Sequence, residues 1–170
     1  MKTNKRPRRG HLLGNRRGSW LIEGPLAMLP LLALMFGVLD IAVAIFVRNT
    51  MEFAVRQGVR YAVTSQTMTG KGQDESIKTV IDQNALGLLE AMTPVGQALK
   101  SLTINYYNPV TLALVTGSGS NVGGNIVVVS TTGLSWAWMA PLLRDATPLQ
   151  FSVSSADIME ATPLAGAPAR

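Results

Sequence analysis

The chain has 170 residues, 47% of them apolar, with no cysteine, one histidine and a formal net charge of +5. That length allows one modest domain plus extras, and the composition excludes disulfides, thiolate metal sites and cysteine nucleophiles. The single histidine is His11, so the chain beyond it holds no His-based triad or metal cluster. The charge is unevenly placed. Lys2, Lys5, Arg6, Arg8, Arg9, Arg16 and Arg17 give residues 1–18 a charge of +7 with no acid, whereas the rest carries eight basic and ten acidic side chains. A nucleic-acid binder would spread positive charge over its folded part, so nucleic acid is not an expected partner.

Directly after the basic block comes Pro25–Val47, 23 residues with one charge, Asp40. As a helix this run would be about 34 Å long, enough to cross a hydrocarbon core of about 30 Å. Basic residues hold their side of a span in the cytoplasm, which puts the N-terminus inside and residues 48–170 outside. Three targeting readings compete. One is a secretory signal cut after Ala42–Val43–Ala44, although the apolar run is longer than such signals use and contains an acid. Another is a twin-arginine signal at Arg8–Arg9–Gly10–His11–Leu12–Leu13, whose apolar run starts too far downstream. The third is an anchor that stays in the membrane, either uncut or cut on the cytoplasmic side.

Beyond the span the helix continues. Glu52, Arg56 and Arg60 stand at successive i, i+4 steps, one favourable pair and one repulsive. Ala54, Gly58 and Ala62 form a thin face that lets another element approach closely, either the sheet of the outer domain or a neighbouring molecule. Thr69–Gly70–Lys71–Gly72 breaks this helix. The spacing predicts a second helix over Asp74–Met92, with Ile77, Ile81, Leu88 and Met92 on one stripe and a stop at Thr93–Pro94. Strands are predicted at 102–107, where Leu102, Ile104 and Tyr106 alternate with polar partners, and at Val110–Thr116, Ile126–Thr131 and Phe151–Ile158. The pattern is α+β: a long N-terminal helix, a second helix and a small antiparallel sheet. Gly117–Gly124 lacks the spacing of a phosphate cradle and leads into a strand, so it reads as a hairpin loop. Leu134–Leu143 reads either as a loop or short helix packed on the sheet, or as a patch facing a partner or the membrane. Pro163–Arg170 reads as disordered. No constellation for catalysis is present, and neither enzyme activity nor a cofactor is expected.

Gly18–Ser19, with Glu23 at the fifth position after the glycine and an apolar helix behind it, resembles a prepilin leader. Pro30, Gly37–Asp40 and Ala54–Val55–Arg56–Gln57–Gly58–Val59–Arg60–Tyr61–Ala62 follow in the order seen in TadE-like pseudopilins of the tight-adherence (Tad) pilus system. The stretch Phe151–Glu160 is similar, more loosely, to how such proteins end. The resemblance implies a pilin-like chain: a leader over 1–18, a transmembrane and extended helix over 19–68, a periplasmic α+β domain over 69–162 and a tail over 163–170. It also implies a cut between Gly18 and Ser19 by a prepilin peptidase. The implied partners are that peptidase, other pilins and pseudopilins, the inner-membrane assembly platform and membrane lipid. The location is the inner membrane, with passage into the pilus left open.

Physical chemistry gives such a cut a purpose. Drawing one cation through the bilayer centre costs about 2.5–3.5 kcal/mol on insertion scales, and one cut removes all seven. It also creates an amine on Ser19, positive at neutral pH. Glu23 lies four residues on, along the same helix face, and can pair with that amine or a neighbour's. The plainer reading of Glu23 is an interfacial carboxylate favoured by the helix dipole. Asp40 would lie about 12 Å inside Arg48 along the axis. Intramembrane acids face a partner, so Asp40 is either an intramembrane contact with another subunit or an acid that snorkels toward water. The competing functional reading is an uncut single-span envelope protein with a partner-binding outer domain.

Overall fold

A run rich in Leu, Ala and Met favours helix, and the chain folds as one helix, α1 (Ser19–Val63), 45 residues long. The computed structural model describes residues 19–140, 147–161 and 166–170. Pro25 and Pro30 lie inside α1 and offer no N–H to the carbonyls one turn back. Two halves of the helix differ in surroundings. From Ile22 to Leu39 the side chains are exposed, apart from half-buried Ala33 and Gly37. From Asp40 onward a stripe at helical spacing is buried: Asp40, Ala44, Val47, Met51, Val55, Val59 and Ala62. The second half of α1 is thus a core element of the outer domain.

Two short helices follow, α2 (Gln73–Asn84) and α3 (Leu88–Met92). The sequence predicts one helix here, and the break has a local cause. Leu86 and Gly87 both take positive φ, 54° and 75°, a conformation that ends a helix and that glycine adopts without strain. Ile77, Ile81 and Met92 of the predicted stripe are buried, but the break turns the third position, so that Leu89 is fully buried and Leu88 only partly.

The strands are β1 (Leu102–Tyr107), β2 (Leu114–Val115), β3 (Ile126–Thr131), β4 (Leu134–Trp136), β5 (Leu149–Phe151) and β6 (Ser154–Ile158). They form a four-stranded sheet in the order β2-β1-β3-β6 and a two-stranded sheet of β4 and β5. All pairings are antiparallel. Ile104 faces Val129 and Tyr106 faces Val127 across the ladder. These residues are buried with Leu102 and Thr131, and one hydrophobic core joins them to α2, α3 and the domain half of α1. The α+β expectation holds, with a long apolar helix ahead of further helix and an antiparallel sheet.

Several sequence-based expectations change. The strand at 110–116 shrinks to two residues because Asn108 Oδ1 accepts from the N–H groups of Val110 and Thr111 at 2.9 and 3.0 Å, closing a turn there. The strand at 151–158 is two strands in different sheets, since the Val153 N–H and carbonyl both bond to Thr131. Gly117–Gly124 is not a hairpin: β2 and β3 both pair with β1, so the loop passes over the end of that strand. Leu134–Trp136 is strand β4, and the part of that stretch from Pro141 lies outside the described residues. Glu52 pairs with Arg48 at 3.1 Å and not with Arg56. Gly58 meets α2, not the sheet: a Cβ there would come within 2.7 Å of Ile81 Cδ1. The tail is held over 168–170, as described below, while 162–165 lie outside the described residues.

Candidate functional site

The residues singled out by sequence lie along α1. Gly18 is outside the described residues. Ser19 opens α1, and Glu23 follows on an exposed part of the helix, about 6 Å further along the axis. Ser19 and Glu23 therefore share the near end of a bare apolar segment. That segment makes α1 long and apolar enough to cross a membrane.

Asp40 lies at the other end of the segment. It is 1% exposed and is the first buried residue along the described part of α1. Its Oδ2 accepts from the backbone N–H groups of Met139 and Ala140 at 2.9 and 3.0 Å. Its Oδ1 has no hydrogen-bond partner among the described residues. Two converging amides make a strong donor site for a carboxylate oxygen, so Asp40 binds the loop after β4 to the helix. Trp138 in that loop donates its Nε1–H to the Thr147 carbonyl at 3.0 Å. The carboxyl thus joins residues 99 and 100 positions apart in sequence.

A second polar cluster lies at the far side of the domain. Arg170 directs Nε and Nη2 to Asp74 Oδ2 at 3.0 and 2.8 Å and Nη1 to Ser120 Oγ at 2.6 Å. Its guanidinium stands 4.8 Å over the Tyr106 ring. Tyr106 donates its hydroxyl to Asp74 Oδ1 at 3.0 Å. Gln73 donates its backbone N–H to the Ala169 carbonyl and accepts from Asn121 Nδ2, which also donates to the Pro168 carbonyl at 2.9 Å. Burial, reinforced by the charge of Asp74 and the hydrogen bond to it, pushes the Tyr106 phenol well above the usual tyrosine range, while Arg170 acts in the opposite direction. The Asp74 carboxylate and the Arg170 guanidinium satisfy one another inside the chain, so the cluster acts as a clasp. Among the described residues, no group of three or more His, Cys, Asp or Glu side chains is placed to hold a metal ion.

A family model of TadE-like proteins matches residues 21–60. Over that stretch α1 is similar to TadE-like proteins. No curated protein and no solved structure matches the chain. The TadE-like match takes in Glu23, Asp40 and Ala54–Arg60, and so runs across both the bare half of α1 and most of its domain-bearing half. Phe151–Glu160 lies outside it.

Two residues of α1 that the spacing does not single out are Phe46 and Phe53, which are 59% and 48% exposed. They line an open apolar groove with Leu86. Their seven-residue separation places them on one helix face, a signal masked by the apolar residues around them. Asp40's own partners gave no signal at all, because backbone amides in a distant loop leave no mark in side-chain spacing.

Proposed function

We propose that the chain is a minor pseudopilin that takes part in assembling a Tad-type pilus. It enters the inner membrane with its basic leader in the cytoplasm and its domain in the periplasm. A prepilin peptidase trims it after Gly18, and it joins other pilins at the assembly platform through the Ser19 amine and Glu23. It works by packing and charge pairing, without catalysis. The observation that carries this reading is the TadE-like match over 21–60 on a helix whose first half is bare and apolar. Lateral packing in a filament and residence in lipid both ask for such a surface.

The alternative of an uncut envelope anchor shares that surface but leaves the spacing of Gly18, Ser19 and Glu23 without a purpose. Release after Ala44 fits less well. It would part Asp40 from Met139 and Ala140 and cut beside a residue only 6% exposed.

The test is the N-terminus of protein made in cells that hold the cognate peptidase. Intact mass or N-terminal sequencing is expected to show a start at Ser19. A start at Met1 supports the uncut anchor, and one at Ile45 supports release. Glu23→Ala is expected to leave the cut in place and reduce piliation. Piliation equal to the parent's would remove the docking role from Glu23.

A further inference from the structure

The apolar run alone puts the span at 25–47, with Asp40 well inside lipid. The structure is at odds with that placement. Asp40 holds the peptide N–H groups of Met139 and Ala140, so wherever Asp40 sits, an irregular loop sits too. Irregular backbone is not tolerated among lipid tails. Buried contacts with the outer domain also begin at Asp40 and continue through Ala44 and Val47, so protein takes one face of that part of α1 while Ile41, Ile45 and Phe46 stay exposed on the others. The bare stretch 22–39 is about 27 Å long, close to the thickness of a hydrocarbon core. Its far end coincides with the Asp40-held loop.

We propose that this loop lies on the outer surface of the bilayer and marks its boundary. The occupant of the surface formed by Trp138 and Met139 is the interfacial layer of phospholipid. Met139 is 58% exposed and Leu149, on β5, is 40% exposed. Trp138 and Leu149 line one open apolar groove together with Ile41 and Ile45 of α1. Trp138 has its indole N–H satisfied by Thr147 and an apolar ring otherwise, the combination that places tryptophan at the headgroup level. Asp40 then lies at the edge of the lipid under its own loop. The other end of the bare stretch falls at Ile22, five residues after Arg17 in sequence. This inference rests on the reading of α1 as a membrane anchor.

The test uses the full chain in phosphatidylcholine vesicles whose lipids carry a bromine quencher either near the headgroup or near the acyl end. In a Trp20→Phe/Trp136→Phe background, Trp138 is the reporter. In a background with all three tryptophans replaced by Phe, Leu31→Trp reports the middle of the bare segment. The expected result is Trp138 fluorescence quenched at least about twofold more by the shallow label than by the deep one, with the reverse at position 31. Deep quenching at 31 with no lipid quenching of Trp138 overturns the proposal and leaves the anchor standing. Absence of lipid quenching at both positions overturns the anchor and the proposal with it. Asp40→Ala is expected to free the loop and weaken the shallow quenching of Trp138. Unchanged quenching there would show that Asp40 does not set the loop's level. If Asp40→Ala fails to fold, the two reporters with Asp40 intact still decide the boundary.

Discussion

Tyr106 and Asp74 show how single side chains hold the outer domain together. The Tyr106 ring is fully buried, its hydroxyl binds one oxygen of Asp74, and Arg170 binds the other. The phenol is held above its ordinary range, which sets the sign of a pH effect. Below about pH 10 the phenol is protonated in both folded and unfolded chains, and its contribution to stability is fully present. Above that, only the unfolded chain releases the proton, so stability falls by up to about 1.4 kcal/mol per pH unit until the folded phenol ionises as well. Tyr106→Phe is expected to cost about 1 kcal/mol at neutral pH through the lost hydrogen bond and to flatten the alkaline decline. Urea denaturation at a series of alkaline pH values measures both. An equally steep decline in the variant would show that other groups cause it. At this scale the sequence was legible only in part. Alternation showed that Tyr106 points inward, but its pairing with Asp74 and Arg170 joins three distant segments, and nothing local in Pro163–Arg170 marks it as docked.

Among the elements, the contact between α1 and α2 is the most exacting. Gly58 lies against Ile77 and Ile81, both fully buried, and β-branched Ile81 has little freedom to move aside. Gly58→Ala gains up to about 1 kcal/mol in helix propensity but overpacks a tight contact at about 1–3 kcal/mol. A net loss of about 1 kcal/mol is expected. In an Ile81→Ala background, itself costing about 2–5 kcal/mol, the same glycine change is expected to be neutral or stabilising. A double-mutant cycle by chemical denaturation reads that coupling, and additive effects would refute the contact. The small-residue face at Ala54, Gly58 and Ala62 was visible as a pattern, but a pattern does not say which element fills it. In the same way the apolar stripe of α2 and α3 was visible, while the break between them depends on the backbone angles of Leu86 and Gly87. The split of the last strand depends on bonds between Val153 and Thr131, which only the assembled sheet reveals.

For the molecule as a whole, the long helix is two things in sequence: a bare apolar segment and a core element of the domain. Met51, Ala54, Val55 and Val59 are all but inaccessible and belong to the same core as β1 and β3. A chain covering 40–170 is expected to give a dispersed NMR spectrum and a cooperative melt. One covering 64–170 lacks that helix face and is expected to give neither. A folded 64–170 fragment would show that the sheet, α2 and α3 suffice by themselves. The α+β class and the order of helices before strands were legible from periodicity. The role of Asp40, Ala44 and Val47 was not, because hydropathy reads them as part of one apolar run whereas the fold buries them against the domain.

Pro25 and Pro30 both fall in the bare segment of α1, and the domain-bearing half has none. Each proline withdraws one rung of the backbone ladder and weakens resistance to bending locally. Mechanical compliance is therefore concentrated near the foot of the rod, while the part that carries the domain is stiffened by everything packed on it. A sideways load on the domain would tilt it together with the upper shaft and flex the chain near its base, so the orientation of the domain can adapt without any of its own contacts being broken.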